Sequence, residues 1–66
     1  MNMWVVSEGR FWNDITFPIG VFSTKEKAMK FCRKQGFKYS RTEKNFYKNE
    51  IKMYRNIEGP FKLDEE

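Results

Sequence analysis

The stretch from Ser23 to Gly36, STKEKAMKFCRKQG, constrains the fold most, because a helix start, a buried stripe and a helix stop all fall within it. Ser23 is placed to cap the first turn by accepting from free backbone N–H groups, and Glu26, three residues on, completes a capping box. Phe22 precedes that cap, but Lys27 stands where a hydrophobic staple needs an apolar residue. Ala28, Phe31, Cys32 and Gln35 recur at i, i+3, i+4 and i+7, with Thr24 or Lys25 in the turn before, which draws one mostly apolar stripe. Arg33 and Lys34 suit the negative end of the helix dipole, and Gly36 can supply a left-handed cap residue. The spacing predicts a helix over 24–35.

Both flanks read as strands. Met3-Trp4-Val5-Val6-Ser7 is β-branched and aromatic and runs into a turn expected at Glu8-Gly9. Asn13-Asp14 is a turn signal, and Ile15 to Phe22 follows as a second strand in which Pro18 needs an edge, a bulge or a strand start. A hairpin of 3–8 with 15–22 results. After the helix, Phe37-Lys38-Tyr39 alternates as a short strand or extended arm, and 40–45 is polar. Phe46-Tyr47 and Ile51-Lys52-Met53-Tyr54 form a hairpin across Lys48-Asn49-Glu50. Gly59-Pro60 marks a break, Phe61-Lys62-Leu63 is a candidate last edge strand, and Asp64-Glu65-Glu66 is an acidic tail expected to fray. The order implies a single α+β domain over 1–66: one helix on an antiparallel sheet of about four strands, arranged ββαββ. Phe31, Ala28 and Cys32 would pack on Trp4, Val6 and Val21, and on Phe46, Ile51 or Met53.

A chain of 66 residues has room for one small core, and its twelve aromatic residues are the means to fill it. One cysteine excludes an intramolecular disulfide and fits a reducing compartment. No histidine is present, so the commonest general base is missing and no Cys/His zinc set can be assembled. Cys32 falls on the buried stripe, where a thiol is inert, and Glu8 and Asp14 flank a predicted turn as solvated acids. The four glycines are isolated, which excludes a phosphate-cradling loop. Neither catalysis nor a cofactor or metal is expected. The chain opens without a basic region followed by an apolar run, and no apolar stretch nears the roughly 20 residues needed to span a bilayer, so the expectation is a soluble cytoplasmic protein.

Charge is distributed unevenly. Residues 24–55 hold eleven basic residues against three acidic, whereas 1–23 and 56–66 are each net acidic. Within that basic middle, Lys27, Lys30 and Lys34 line one helix face at i, i+3 and i+7, a row that either faces water or meets an acidic partner. Arg10-Phe11-Trp12 beside the predicted turn offers the residue types that anchor protein interfaces, unless Trp12 folds back over the core. Cationic and aromatic residues also alternate through Lys38, Tyr39 and Arg41, through Tyr47 and Lys48, and through Lys52, Tyr54 and Arg55. On one sheet face that pattern would neutralise phosphates while rings stack on bases; the same alternation also describes a sheet with aromatics inside and lysines outside.

The residues Met3-Trp4-Val5-Val6, then Gly20-Val21-Phe22-Ser23-Thr24-Lys25-Glu26-Lys27-Ala28 and a lysine-rich helix, resemble small proteins of unassigned role encoded by bacteriophages and prophages. The resemblance covers roughly 3–35 and departs in the strongly basic C-terminal half, onto which it carries nothing. It implies an accessory protein acting in the host cytoplasm on a host component, such as a defence or transcription protein, and brings no catalytic residue with it.

Two functions therefore stand as expectations. The first is a non-catalytic interaction protein that binds a host protein with an acidic surface, inhibition being one outcome, through Arg10, Phe11, Trp12, Lys27, Lys30 and Lys34. The second is a small nucleic-acid-binding module using Lys38, Tyr39, Arg41, Tyr47, Lys48, Lys52, Tyr54 and Arg55. A homodimer that covers exposed sheet edges stays open with either.

Overall fold

A computed structural model describes residues 2–62. Leu63 and the acidic tail lie outside the described residues. The elements are β1 (Asn2–Arg10), β2 (Thr16–Phe22), α1 (Lys25–Lys34), β3 (Lys38–Ser40), β4 (Asn45–Lys48) and β5 (Met53–Lys62). All five strands join one antiparallel sheet in the order β2-β1-β5-β4-β3. The α+β class and single helix match the sequence expectation; the count of four strands and the ββαββ order do not.

The expected last strand is the end of β5 and not a separate element: β5 pairs with β1 from Asn2↔Lys62 to Arg10↔Met53 and with β4 over Met53–Arg55, so Phe61-Lys62 has β1 alone beside it. Gly59-Pro60 does not end the strand, which passes through it, but it interrupts the pairing: the two residues face Trp4 alone, and the register with β1 shifts between Met3 and Val5. Gly59 has φ 149, and a Cβ there would fall 2.9 Å from the Met3 carbonyl oxygen and the Trp4 ring, so only glycine fits that close approach. The turn expected at Glu8-Gly9 is likewise continuous strand, since β1 runs on to Arg10.

The helix begins one residue later than its capping signal proposed. Thr24, with extended φ −136 and ψ 156, accepts from Lys27 N at 3.2 Å and is the N-cap. Ser23 lies a residue too early and its hydroxyl accepts from Lys27 Nζ at 3.4 Å. With Thr24 as cap the third helical residue is Lys27, not an acid, and no capping box forms. The stop is as expected: Gly36 has φ 85, Gly36 N donates to Arg33 O at 3.0 Å, and Phe37 N donates to Cys32 O at 3.2 Å, the two bonds of a Schellman motif. Lys48 Nζ adds a bond to Gln35 O at 2.9 Å, a cation on the carbonyl end of the helix.

Val6, Ala28, Cys32, Phe37 and Phe46 form the core, with Trp4, Phe22, Met29, Phe31, Met53 and Ile57 packed around it. Phe22 meets Phe31 with ring centroids 5.1 Å apart. Val21 and Ile51 were expected in this core and are exposed. Val21 pairs with Val5 on the opposite sheet face, one residue out of phase with Phe22, and Ile51 sits in the turn between β4 and β5. The ten-residue helix is about 15 Å long, whereas the ten-residue β5 extends about 33 Å. Among the described residues, one helix thus leaves the ends of the sheet and its second face uncovered.

Candidate functional site

Two surfaces of the sheet carry side chains that the core does not use. The first is the edge of the sheet at β2. Ile19 is an extra residue there, since Gly20 pairs with Val6 and Pro18 with Ser7, and the bulge accommodates Pro18 on an edge strand as its chemistry requires. The same bulge re-aims Phe17, which now pairs with Glu8 on the helix side but beyond the helix, and is 67% exposed. Val21 is 61% exposed on the other face, and Ile15 and Ile19 are exposed as well. No charged residue occurs from Ile15 to Phe22.

This strip is continuous with the loop joining β1 to β2. Asn13 N donates to Arg10 O at 3.1 Å and Asn13 Oδ1 accepts from Ile15 N at 2.9 Å, which closes a tight turn. Phe11 N donates to Lys52 O at 3.0 Å, tying the loop to the turn between β4 and β5. Trp12 does not fold back over the core: it is 66% exposed, with the Arg10 guanidinium 5.7 Å from its ring centre. Arg10, Phe11 and Trp12 are thus brought together at one end of the apolar edge. Lys27, bonded to Ser23 just past β2, lies at the other end. Lys30 and Lys34 are exposed along the helix, as expected.

The open face of the sheet is the second surface. Tyr47 and Tyr54 are register partners on β4 and β5, and Lys38 on β3 is the partner of Tyr47, so all three share that face. The Tyr54 ring lies across Gly9, where an added Cβ would come within 2.8 Å of its Cζ and Oη. Beside the tyrosines is a groove of about 560 Å³. Its walls carry the rings of Phe11, Tyr47 and Tyr54, the amides of Asn13, Asn45 and Asn56, and the carboxylates of Asp14 and Glu43. Ser40 completes it and shapes the turn beyond by accepting from Glu43 N at 3.2 Å.

Of the residues expected to face nucleic acid, Lys48 and Arg55 are used by the fold, while Tyr39, Arg41 and Lys52 stay exposed. Tyr39 lies on the opposite face from Tyr47, edge-on to Phe46 at 5.3 Å. Lys48 caps the helix. Lys52 occupies a left-handed turn position with φ 53, and Arg41 lies in the exposed turn between β3 and β4. Arg55 is 6% exposed and points inward. Its Nε donates to Glu8 Oε2 at 2.9 Å, its second terminal nitrogen is 2.8 Å from the same oxygen, and its guanidinium stacks 4.0 Å from the Phe37 ring centre. Its remaining nitrogen, Nη1, is buried without a hydrogen-bond partner among the described residues, and the guanidinium carbon also lies 5.2 Å from the Phe31 ring centre. Glu8 is therefore a partner of a buried cation and not a solvated turn acid.

The interior beside Arg55 holds Cys32, fully buried as the stripe predicts. Burial pushes its thiol above the ordinary value, and the pull of the Arg55 and Arg33 charges in the other direction is smaller. Sequence reasoning missed this Arg55, Glu8 and Cys32 grouping because Arg55 and Glu8 are 47 residues apart and meet only through the register of β1 with β5. It also missed the groove, whose walls come from two loops and three strands. No helix among the described residues is long and apolar enough to cross a membrane.

Neither a curated protein nor a solved structure matches the chain. A family model does, over residues 1–59: it describes a domain of unknown function, DUF7336. The match takes in every element from β1 through most of β5. The chain belongs to the DUF7336 family.

Proposed function

We propose that this chain is a non-catalytic interaction protein that binds a partner protein along the free edge of β2 and the Arg10-Phe11-Trp12 loop. The observation that carries the reading is the uncharged, apolar and unpaired edge, with Trp12, Phe17 and Val21 each more than half exposed. Edge strands in free-standing proteins are guarded by charge, shortness, proline, bulges or cover; β3 is three residues long with Lys38 at its start, whereas the seven-residue β2 has Pro18 and the bulge at Ile19 but no charge, and its apolar side chains stay exposed. Backbone groups of an edge strand accept a partner strand by β-augmentation, and exposed aromatics supply anchors. Arg10 and Lys27 put positive charge at the two ends of the strip, which favours a partner segment with acidic flanks. The resemblance of 3–35 to phage and prophage proteins makes a host defence or transcription protein the natural partner, with inhibition as the consequence of occupying its surface.

Affinity capture from a nuclease-treated bacterial lysate tests this. The wild-type chain retains a specific protein, and the variants Phe17→Asp and Trp12→Ala, both altered at exposed positions, lose it. Equal capture by the variants would defeat the reading. A nucleic-acid module is second, supported by the Tyr47 and Tyr54 pair with Lys38 beside it. Asp14 and Glu43 border the same face and oppose a phosphate backbone. Titration with single-stranded and duplex DNA at two salt concentrations separates the two: tight binding that falls steeply with salt would reverse their order.

A further inference from the structure

The groove on the open face has a composition at odds with the rest of the molecule. The chain carries thirteen basic residues and a formal charge of +4, yet no lysine or arginine lines the groove. Two carboxylates do, Asp14 from the loop between β1 and β2 and Glu43 from the turn between β3 and β4. Neither has an ion-pair partner among the described residues. The same groove is lined by Phe11, Tyr47 and Tyr54, whose π faces attract cations, and by Asn45 and Asn56, whose amide oxygens accept from N–H donors.

We infer that this groove is a binding site for an organic cation, a guanidinium or alkylammonium group held between the tyrosine rings and the two carboxylates. The chemistry is complementary in each part. The flat faces of a guanidinium and the methylenes behind it cover aromatic rings, while its N–H groups serve carboxylate and amide oxygens. Phosphates and carboxylates meet two unpaired acids and no basic lining residue, so the groove rejects them. The volume of about 560 Å³ lies within the range of small-ligand sites, enough for an arginine side chain with adjoining backbone or for a free small amine. General electrostatic attraction does not account for such binding, because the whole chain is positive and repels cations. The site shares Phe11 with the proposed partner surface, but its tyrosines and carboxylates lie outside that surface, so it holds whether or not the β2 edge binds a partner.

Titration of the full ¹⁵N-labelled chain, followed by backbone amide shifts, reads the site directly. The probes are agmatine, the capped tripeptide acetyl-Gly-Arg-Gly-amide, its glutamate counterpart acetyl-Gly-Glu-Gly-amide, and uridine 5′-monophosphate. Saturable shifts centred on Asp14, Glu43, Asn45 and Tyr54 are expected with agmatine and the arginine peptide, and none there with the two anions. Tighter binding of the peptide than of agmatine identifies a protein segment as the source, and the reverse order a free amine. The exposed double substitution Asp14→Asn with Glu43→Gln leaves the unliganded spectrum folded and weakens cation binding at least about tenfold, as does raising salt enough to screen an exposed pair. Tyr47→Leu weakens it without changing the salt dependence. Shifts that do not saturate, cation binding that survives the double substitution, or preferential binding of the nucleotide in the groove would each overturn the assignment.

Discussion

At the scale of single residues, the pair Arg55 and Glu8 decides most. The arginine is sealed among Phe37, Phe31 and Cys32, whereas the Glu8 side chain keeps 22% of its exposure. Removal of either partner is therefore unequal in cost. Glu8→Ala strands a buried cation and is expected to destabilise by about 3 kcal/mol, the lower end for a broken buried pair because Glu8 itself is partly wet. Arg55→Met leaves only a carboxylate that water can reach and a stem that still covers Phe37, so the loss is about 1 kcal/mol. Urea unfolding of the two variants checks the order. Cys32 adds a pH effect whose sign is fixed by its raised pKa. Below the ordinary thiol value of 9.0 the group is neutral in folded and unfolded chains alike. Above 9.0 the unfolded chain gives up the proton and the folded chain keeps it, so stability falls as pH rises from there toward the folded-state value. Thermal melts between pH 8 and 10.5 should show a shallower decline in Cys32→Ala than in the wild type. The burial of Cys32 is legible in the sequence because helical spacing alone places it; the burial of Arg55 is not, because Lys52, Tyr54 and Arg55 read as a basic surface until a partner strand is known.

At the scale of elements, local signals are accurate about kind and less so about boundaries. The helix and its Schellman stop follow from Ala28, Phe31, Cys32 and Gly36, whereas two adjacent hydroxyl residues compete for its start. Only the backbone, extended at Thr24, settles which of them caps. Thr24→Ala should therefore cost about 1 kcal/mol, and Ser23→Ala, which loses one long bond from an exposed lysine, only a few tenths. Paired denaturation curves distinguish them; equal losses would mean that the cap is shared. In β2 the composition correctly demands an edge or bulge for Pro18, but not where the extra residue goes. Its place at Ile19 decides that Phe17 and Val21 appear on opposite faces, so the apolar edge is an outcome of register that alternation alone misassigns.

At the scale of the molecule, β5 joins the two halves of the chain. Its pairing with β1 along nearly the full length of both strands sets the β2 hairpin on one side and β4 with β3 on the other. That closure is long-range and has no signature within either segment, which is why Phe61-Lys62 reads as a separate edge strand when it is the far end of a strand that is central only where β4 also pairs with it, over Met53–Arg55. The consequence is a sheet with one helix-covered face, one open face and two unequal edges. One edge is short and basic; the other is apolar, bulged and flanked by Arg10 and Lys27. The proposed partner surface is that second edge. Hydrogen exchange of the chain, alone and with its captured partner, tests the assignment most directly. Slowed exchange concentrated in β2 and the Phe11-Trp12 loop, with the outer helix face and the open sheet face unchanged, is the predicted result; protection confined to either of those faces, with β2 exchanging as in the free chain, would contradict it.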